Sequence, residues 1–256
     1  MDFSPIINEV FKMWWLIPIF LVLTIIKTPW FKGLFGETFV KLSAKICLPA
    51  STYHLVHNVT LPTPDGTTQI DHIIASPYGI FVVETKNIKG WIFGGEKQAQ
   101  WTQKIFKNSF KFQNPLRQNY KHVKALENAL NIAPELIHSV VVFTGESTFK
   151  TTMPANVTRG FGYIRYIKSF KTPALSETEV QNALMQILDV RLAPSLETHR
   201  KHVQQLRKRA DTTADRICPR CGEQLVSRTA KRGANAGNQF WGCSAYPKCK
   251  AMQSVT

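Results

Sequence analysis

The last 39 residues of this 256-residue chain hold four of its five cysteines, Cys218, Cys221, Cys243 and Cys249, with two, twenty-one and five residues between successive members. A tail this short cannot bury a sufficient core unaided. The C-x-x-C pair lets two thiolates reach one ion from a tight turn, and a second pair completes the four soft ligands of tetrahedral Zn²⁺. The tail is therefore expected to fold around zinc, with the metal supplying the folding free energy. Two structural disulfides are the rival arrangement and would require an oxidising compartment. Cys47 stands alone in an apolar helical stretch and reads as a core residue.

The chain carries 32 Lys+Arg against 17 Asp+Glu, a formal net charge of +15. Such an excess predicts attraction to a polyanion, either nucleic acid or an anionic membrane face. With 44% hydrophobic residues the chain has enough apolar material for a real core, which excludes disorder throughout.

Residues 13 to 26, MWWLIPIFLVLTII, contain no charge and lie between Lys12 and Lys27. The run is short against the ~20 residues of a transmembrane helix. Trp14, Trp15 and Trp30 near its ends and the flanking lysines suit an interface, and no A-x-A-like cleavage site follows. The expectation is an uncleaved single-pass N-terminal transmembrane helix in the inner membrane of a bacterium. Lysines 27, 32, 41 and 45 then place the soluble domains in the cytoplasm. A buried core helix is the competing reading.

Beyond the run the pattern is that of an α/β domain. Phe35, Phe39, Val40, Leu42 and Ile46 recur at helical spacing up to Leu48-Pro49. Strands are expected in YHLVHNVTL, TQIDHIIAS, GIFVVETK and WIFGG, separated by turn signals. LRQNYKHVKALENAL reads as a helix with Tyr120, Val123, Leu126 and Leu130 on one face, and HSVVVFTG as a buried strand. Tyr163 to Ile167 is predicted as one more strand, Ser176 to Glu179 as a capping box, and residues 194 to 210 as a basic helix. The expected domains are a membrane anchor (1–30), an α/β domain (31–150), a helical extension (151–210), a linker (211–217) and the four-cysteine unit (218–256).

Within the α/β domain, Asp71 lies on one expected strand and Glu84 and Lys86 on the next. Positions i and i+2 share a face, so Glu84 and Lys86 project together, and the hairpin can bring Asp71 beside them. Two carboxylates and an ammonium in otherwise apolar strands suit Mg²⁺ and a substrate phosphate, with the lysine orienting water or holding developing charge. The spacing alone is loose enough to occur by chance, and its ordinary reading is a surface Glu84–Lys86 ion pair. His72 points away from Asp71, and His54 and His57 do not share a face.

The order helix, strand, strand with Asp71, strand with Glu84-x-Lys86, helix, strand is similar to the core of the restriction-endonuclease-like PD-(D/E)xK superfamily. More specifically, Gly36-Glu37, the stretch from Gln69 to Gly94, Trp101 and Asn114 to Gln118 resemble the nuclease-related domain family. The resemblance implies a metal-dependent phosphodiester hydrolase with Asp71, Glu84 and Lys86 as its catalytic set. It adds Glu37 as an accessory ligand to Mg²⁺ or Mn²⁺ and Gln118 as a polar group. A non-catalytic DNA-tethering protein that keeps the fold as a scaffold is the alternative.

The tail resembles the four-cysteine zinc finger of bacterial type I topoisomerases through its CPRCG start, Gly237, Phe240, Gly242-Cys243 and Tyr246-Pro247-x-Cys249. A zinc-ribbon-like unit that binds DNA, particularly single strands, is implied. Arg220, Arg228, Lys231, Arg232, Lys248 and Lys250 suit phosphates, and Phe240, Trp241 and Tyr246 suit bases. Some of these aromatics must pack the small core instead. No topoisomerase catalytic domain is expected beside the finger, so strand passage is not inferred from it.

Overall fold

The structure is a computed structural model that describes residues 16–64, 66–130, 132–193, 195, 197–198, 200, 202–204, 216–218, 220–230, 237 and 239–254. Residues 1–15, most of the expected basic helix and linker, Lys231 and Arg232 lie outside the described residues. The element order is α1 (Leu16–Lys27), α2 (Pro29–Cys47), β1 (His54–Thr63), β2 (Gly66–Ser76), β3 (Gly79–Lys86), β4 (Gly90–Phe93), β5 (Gln100–Ile105) and β6 (Asn108–Gln113). There follow α3 (Pro115–Ala129), β7 (Ile137–Phe143), β8 (Ser147–Phe149), β9 (Val157–Arg159), α4 (Gly162–Ser169) and α5 (Glu177–Val190). The tail forms β10 (Arg216–Ile217), β11 (Gln224–Thr229), β12 (Gln239–Cys243) and β13 (Met252–Ser254).

A five-stranded sheet ordered β1-β2-β3-β7-β9 is the frame of the mixed α/β domain. The first two pairings are antiparallel hairpins and the last two are parallel. Parallel pairing needs a crossover and buries both faces. Accordingly β3 reads Gly-Ile-Phe-Val-Val with every residue buried. Ile80 and Val82 pack with α3 and α5 through Val123, Leu126, Val180 and Ile187. Phe81 and Val83 pack on the other face with α2 and α4 through Val40, Ala44, Tyr163 and Ile167.

A second sheet, ordered β6-β5-β4-β8, grows out of the first. The parallel ladder of β3 and β7 ends at Lys86↔Phe143, and four residues further along each chain β4 and β8 resume parallel pairing at Gly90↔Ser147. Ile92, Trp101, Val141 and Phe143 join the two sheets in one cluster.

Several expectations change. The run at 13 to 26 does not become a span within the described chain: α1 has 12 residues, about 18 Å at 1.5 Å each against a ~30 Å hydrocarbon core. Among the described residues no helix is long and apolar enough to cross a membrane. In α2 the buried face is Gly36, Val40 and Ala44, continued by Leu48 just past the helix end, whereas Phe35, Leu42 and Ile46 are exposed. On α3, Tyr120 is exposed, while Val123, Leu126 and Leu130 are buried together with Asn119 and His122. Tyr163 to Ile167 belongs to a helix, α4, in which Tyr163, Ile164 and Ile167 are buried at helical spacing. The capping box at Ser176 and Glu179 is formed as expected. Residues 216 and 217, expected in a linker, form β10.

Asn114 fixes where α3 starts. It is fully buried; its Oδ1 accepts from the Leu116 amide at 2.9 Å, and its Nδ2 donates to the carbonyls of Gln98 at 2.7 Å and Glu96 at 3.0 Å. Pro115 follows at the first helical position, where no amide is needed. Asn114→Ala removes the cap and strands buried carbonyls, so it should cost about 2 kcal/mol or more. Equilibrium urea unfolding checks this; a midpoint equal to the wild type's would show that Asn114 does not hold the helix start.

Candidate active site and zinc centre

The β2–β3 ladder has its last pair at His72↔Val83, so Asp71 and Glu84 are the next residues outward on the two strands. There the Thr85 amide donates to Asp71 Oδ2 at 2.9 Å, a side-chain carboxylate taking the place of a strand carbonyl. Glu84 is 2% exposed and turns toward α3. Its Oε1 lies 2.7 Å from Lys86 Nζ and its Oε2 lies 3.2 Å from His122 Nε2. Lys86 Nζ also donates to Gln118 Oε1 at 2.8 Å. The structure thus brings Asp71, Glu84, Lys86 and Gln118 to one end of β3.

His122 is the member that sequence reasoning missed. Its signal was present, because residue 122 follows Gln118 by four and so occupies the same face of α3. Its Nδ1 is 2.7 Å from Thr68 Oγ1, which fixes the ring between β2 and Glu84. Asn119, also buried, donates to the carbonyls of Val82 at 2.9 Å and Val140 at 3.1 Å, tying α3 to β3 and β7. The pair His57 and His72 meets across β1 and β2 with Nδ1 atoms 2.8 Å apart. Burial, the neighbouring ring of His57 and Lys41 bring the His72 imidazole down to about 3, so it stays neutral in the sheet.

Glu37 reaches the carboxylate group from α2. A side chain at Gly36 would meet Thr144 Oγ1 at 2.7 Å and Asn87 Cβ at 3.0 Å, so glycine is what lets the helix lie against the end of β3 and β7. Burial raises the Glu37 carboxyl, and Glu84 adds to the effect. Burial likewise raises Asp71 well above the usual carboxylate range; Glu84 and Glu37 reinforce this, and the Thr85 amide and Lys86 only partly oppose it. Burial alone would raise Glu84 too, but Lys86 and His122 outweigh it and hold that carboxyl below its ordinary value. Three acids therefore share this end of the sheet: Lys86 and His122 hold Glu84 low, while Asp71 and Glu37 stay raised.

The tail builds a different centre. Its antiparallel sheet, ordered β10-β11-β12-β13, encloses Leu225, Trp241, Cys218, Cys243 and Cys249. Gly222, with φ +77°, turns the chain after the C-x-x-C pair, and the Cys218 amide bonds back to Glu223 O at 2.6 Å. All four sulfurs lie within 4.8 Å of one another, with Cys218–Cys249 at 3.8 Å and Cys221–Cys243 at 3.4 Å. Sulfurs tetrahedral about zinc at 2.3 Å stand about 3.8 Å apart, so the four thiols fit the ion. Among the described residues this is the only group of three or more His, Cys, Asp or Glu side chains gathered so closely.

Of the aromatics expected to meet bases, Trp241 is 3% exposed and belongs to the core of the tail. Tyr246 is exposed with the Arg228 guanidinium 5.9 Å from its ring centre, and Phe240 is partly buried. Arg220, Lys248 and Lys250 are exposed.

Two outcomes follow. A carboxyl raised on folding stabilises the fold only while protonated, so Asp71 destabilises it above the unfolded value of about 4. Asp71→Asn keeps an acceptor for Thr85 and should raise the melting temperature at pH 7 without divalent cations, with no gain at pH 3. Calorimetry at the two pH values checks the sign. For the tail, zinc chelation should abolish amide-exchange protection in β11 and β12 and leave β3 and β7 protected; retained protection in β11 and β12 would contradict a metal-dependent fold.

The nuclease-related domain family matches residues 32–144, the region that contains β1 to β7 and the carboxylate group. The topoisomerase DNA-binding C4 zinc finger family matches residues 215–256. An uncharacterized protein of Bacillus anthracis is 40% identical over 186 residues, which are 70% of this chain and 85% of that protein. DNA topoisomerase 1 of Methanocaldococcus jannaschii is 46% identical over 41 residues, 16% of this chain and only 5% of the enzyme, so the likeness concerns the finger alone. No solved structure matches the chain. A DNA-binding, nuclease-like protein is what the two matches and the cysteine cluster support together, and the chain belongs to the nuclease-related domain family, with a topoisomerase-type four-cysteine zinc finger at its C-terminal end.

Proposed function

We propose that the chain is a DNA-directed phosphodiester hydrolase that works with Mg²⁺ or Mn²⁺, its site formed by Asp71, Glu84 and Lys86 with Glu37 and Gln118 in support. The observation that carries this reading is the gathering of Asp71, Glu84 and Lys86 at the end of β3, where burial and neighbouring acids raise Asp71 and Glu37. Hard carboxylate oxygens suit a hard divalent cation, and Mg²⁺ keeps several waters, so one or two of these carboxylates would be enough to hold it. Asp71, Glu84 and Glu37 are the residues that would hold the ion, which would polarise the phosphate and acidify a bound water.

Hydrolysis adds water across one P–O ester bond: the water oxygen bonds to phosphorus and the departing sugar oxygen takes up a proton. Lys86, positioned by Gln118, carries an ammonium beside that reaction and holds the negative charge that develops on the phosphate oxygens. Gln118 accepts from Lys86 and His122 faces Glu84 Oε2, so Lys86 and Glu84 would each keep a protein partner if the ion were held. The finger adds sequence-tolerant attachment: Arg228 and Tyr246 offer phosphate neutralisation and a stacking face to single-stranded DNA.

Incubating the full chain with single- and double-stranded DNA and with RNA, with and without added Mg²⁺ or Mn²⁺, tests the proposal. Chelators are left out because they would also strip the finger. Cleavage should require the added metal, and Lys86→Ala and Asp71→Ala should each lower its rate by about 10²-fold or more with binding through the finger retained. Tight binding without cleavage of any substrate would replace this reading with a DNA-tethering protein that keeps the fold as a scaffold.

A further inference from the structure

The second sheet has one face in the core and one face in solvent. Ile92, Trp101 and Phe112 point inward. Cross-strand partners share a face, so the registers Trp91↔Lys104 and Phe93↔Thr102↔Lys111 place the remaining side chains together on the outside. There Trp91 is 49% exposed, with Lys150 Nζ 4.6 Å from the centre of its ring. Lys104 and Lys111 are exposed on the same face, and Lys111 is held by Thr102 Oγ1 at 2.9 Å. Residues 89 to 113 contain five lysines and a single acid, Glu96, which lies outside the three strands.

The tip of the β5–β6 hairpin has the same composition. Phe106 is 93% exposed and holds φ +50°, between the closing pair Ile105↔Asn108, with Lys107 beside it. A bulky side chain in the left-handed region that buries almost nothing is costly in the isolated protein. The two-residue turn accounts for the positive φ, but neither packing nor the carboxylate group accounts for a phenyl side chain there.

We infer that this outer face, from Trp91 to the tip at Phe106, is a contact surface for single-stranded nucleic acid, separate from the zinc finger, that leads a strand toward the end of β3. An exposed indole between lysines is the combination that binds unpaired bases and their phosphates at once, by stacking and by charge. The Lys150 stem lets its ammonium leave the indole for a phosphate oxygen, which frees the ring face for a base. Continuity of the two ladders directs the strand: β4 begins four residues after Lys86, Gly90 N donates to Glu146 O at 2.8 Å, and Gln103 Nε2 donates to Lys89 O at 2.7 Å. The inference rests on the nuclease-like domain taking nucleic acid as its ligand, but not on its cutting it.

The test uses the full chain with its zinc, in buffer without added Mg²⁺, and an oligothymidylate carrying bromouracil. Irradiation should crosslink the strand to the peptide that contains Trp91, in addition to any crosslinks in the finger. By fluorescence anisotropy, Trp91→Ala should weaken binding about tenfold and Trp91→Phe much less. Replacing Lys104, Lys111 and Lys150 together by Ala should lower the slope of log K against log salt by about 2. All four positions are at the surface, so unchanged thermal melting certifies the variants. Crosslinks confined to the finger, with affinity and salt slope unchanged, would overturn the inference. Crosslinking at Trp91 by a protein that cleaves nothing with Mg²⁺ would leave this surface standing and remove only the hydrolase reading.

Discussion

A buried carboxylate held between a lysine and a histidine organises the nuclease-like domain. Glu84 is 2% exposed, and taking its charge out of water is offset only because Lys86 lies against one oxygen and His122 faces the other. The first partner sits on the same strand, two residues on. The second comes from α3, whose start is set by Asn114 and whose contact with β3 and β7 is set by Asn119. Strand, helix and turn must all be in place before Glu84 can be ionised at low cost, so the polar group and the apolar layers around it depend on each other.

Charge is matched unevenly at this end of the sheet. Glu84 is held low while Asp71 and Glu37 are raised by burial and by Glu84 itself. A fold selected for stability alone would replace the raised acids with apolar or amide side chains, because uncompensated buried charge opposes folding. The tail resolves its own deficit differently. Its five-residue core leaves too little apolar burial to fold alone, and four thiols within 4.8 Å of one another supply a metal site in its place.

Much of this was legible in the sequence because it depends on local periodicity. The hairpins around β2, the buried run of β3 and the facing of Glu84 with Lys86 follow from a period of two and from turn residues. The capping box of α5 and the cysteine spacing are equally local. What escaped involved partners distant in sequence. The strands QWTQKI and NSFKFQ pair as a hairpin but are polar and short of β-branched residues, and pairing of the first with β4 and the burial of Trp101 supply what their own sequence lacks. α2 presents apolar residues on more than one side, so its sequence does not say that Val40 and Ala44 face the sheet while Phe35 and Ile46 face outward.

The sequence by itself determined the chemistry available: the acids and lysine of the β2–β3 hairpin, four thiolates at metal-binding spacing, and a basic excess suited to a polyanion. Residue type and short-range spacing are sufficient for that. The tertiary structure decided how the groups are charged and which surfaces remain open. It buried Glu84 against His122, left Asp71 and Glu37 raised, withdrew Trp241 into the core of the tail and exposed Trp91 between lysines. Burial and the proximity of charges are properties of the packed chain, and no window of sequence contains them.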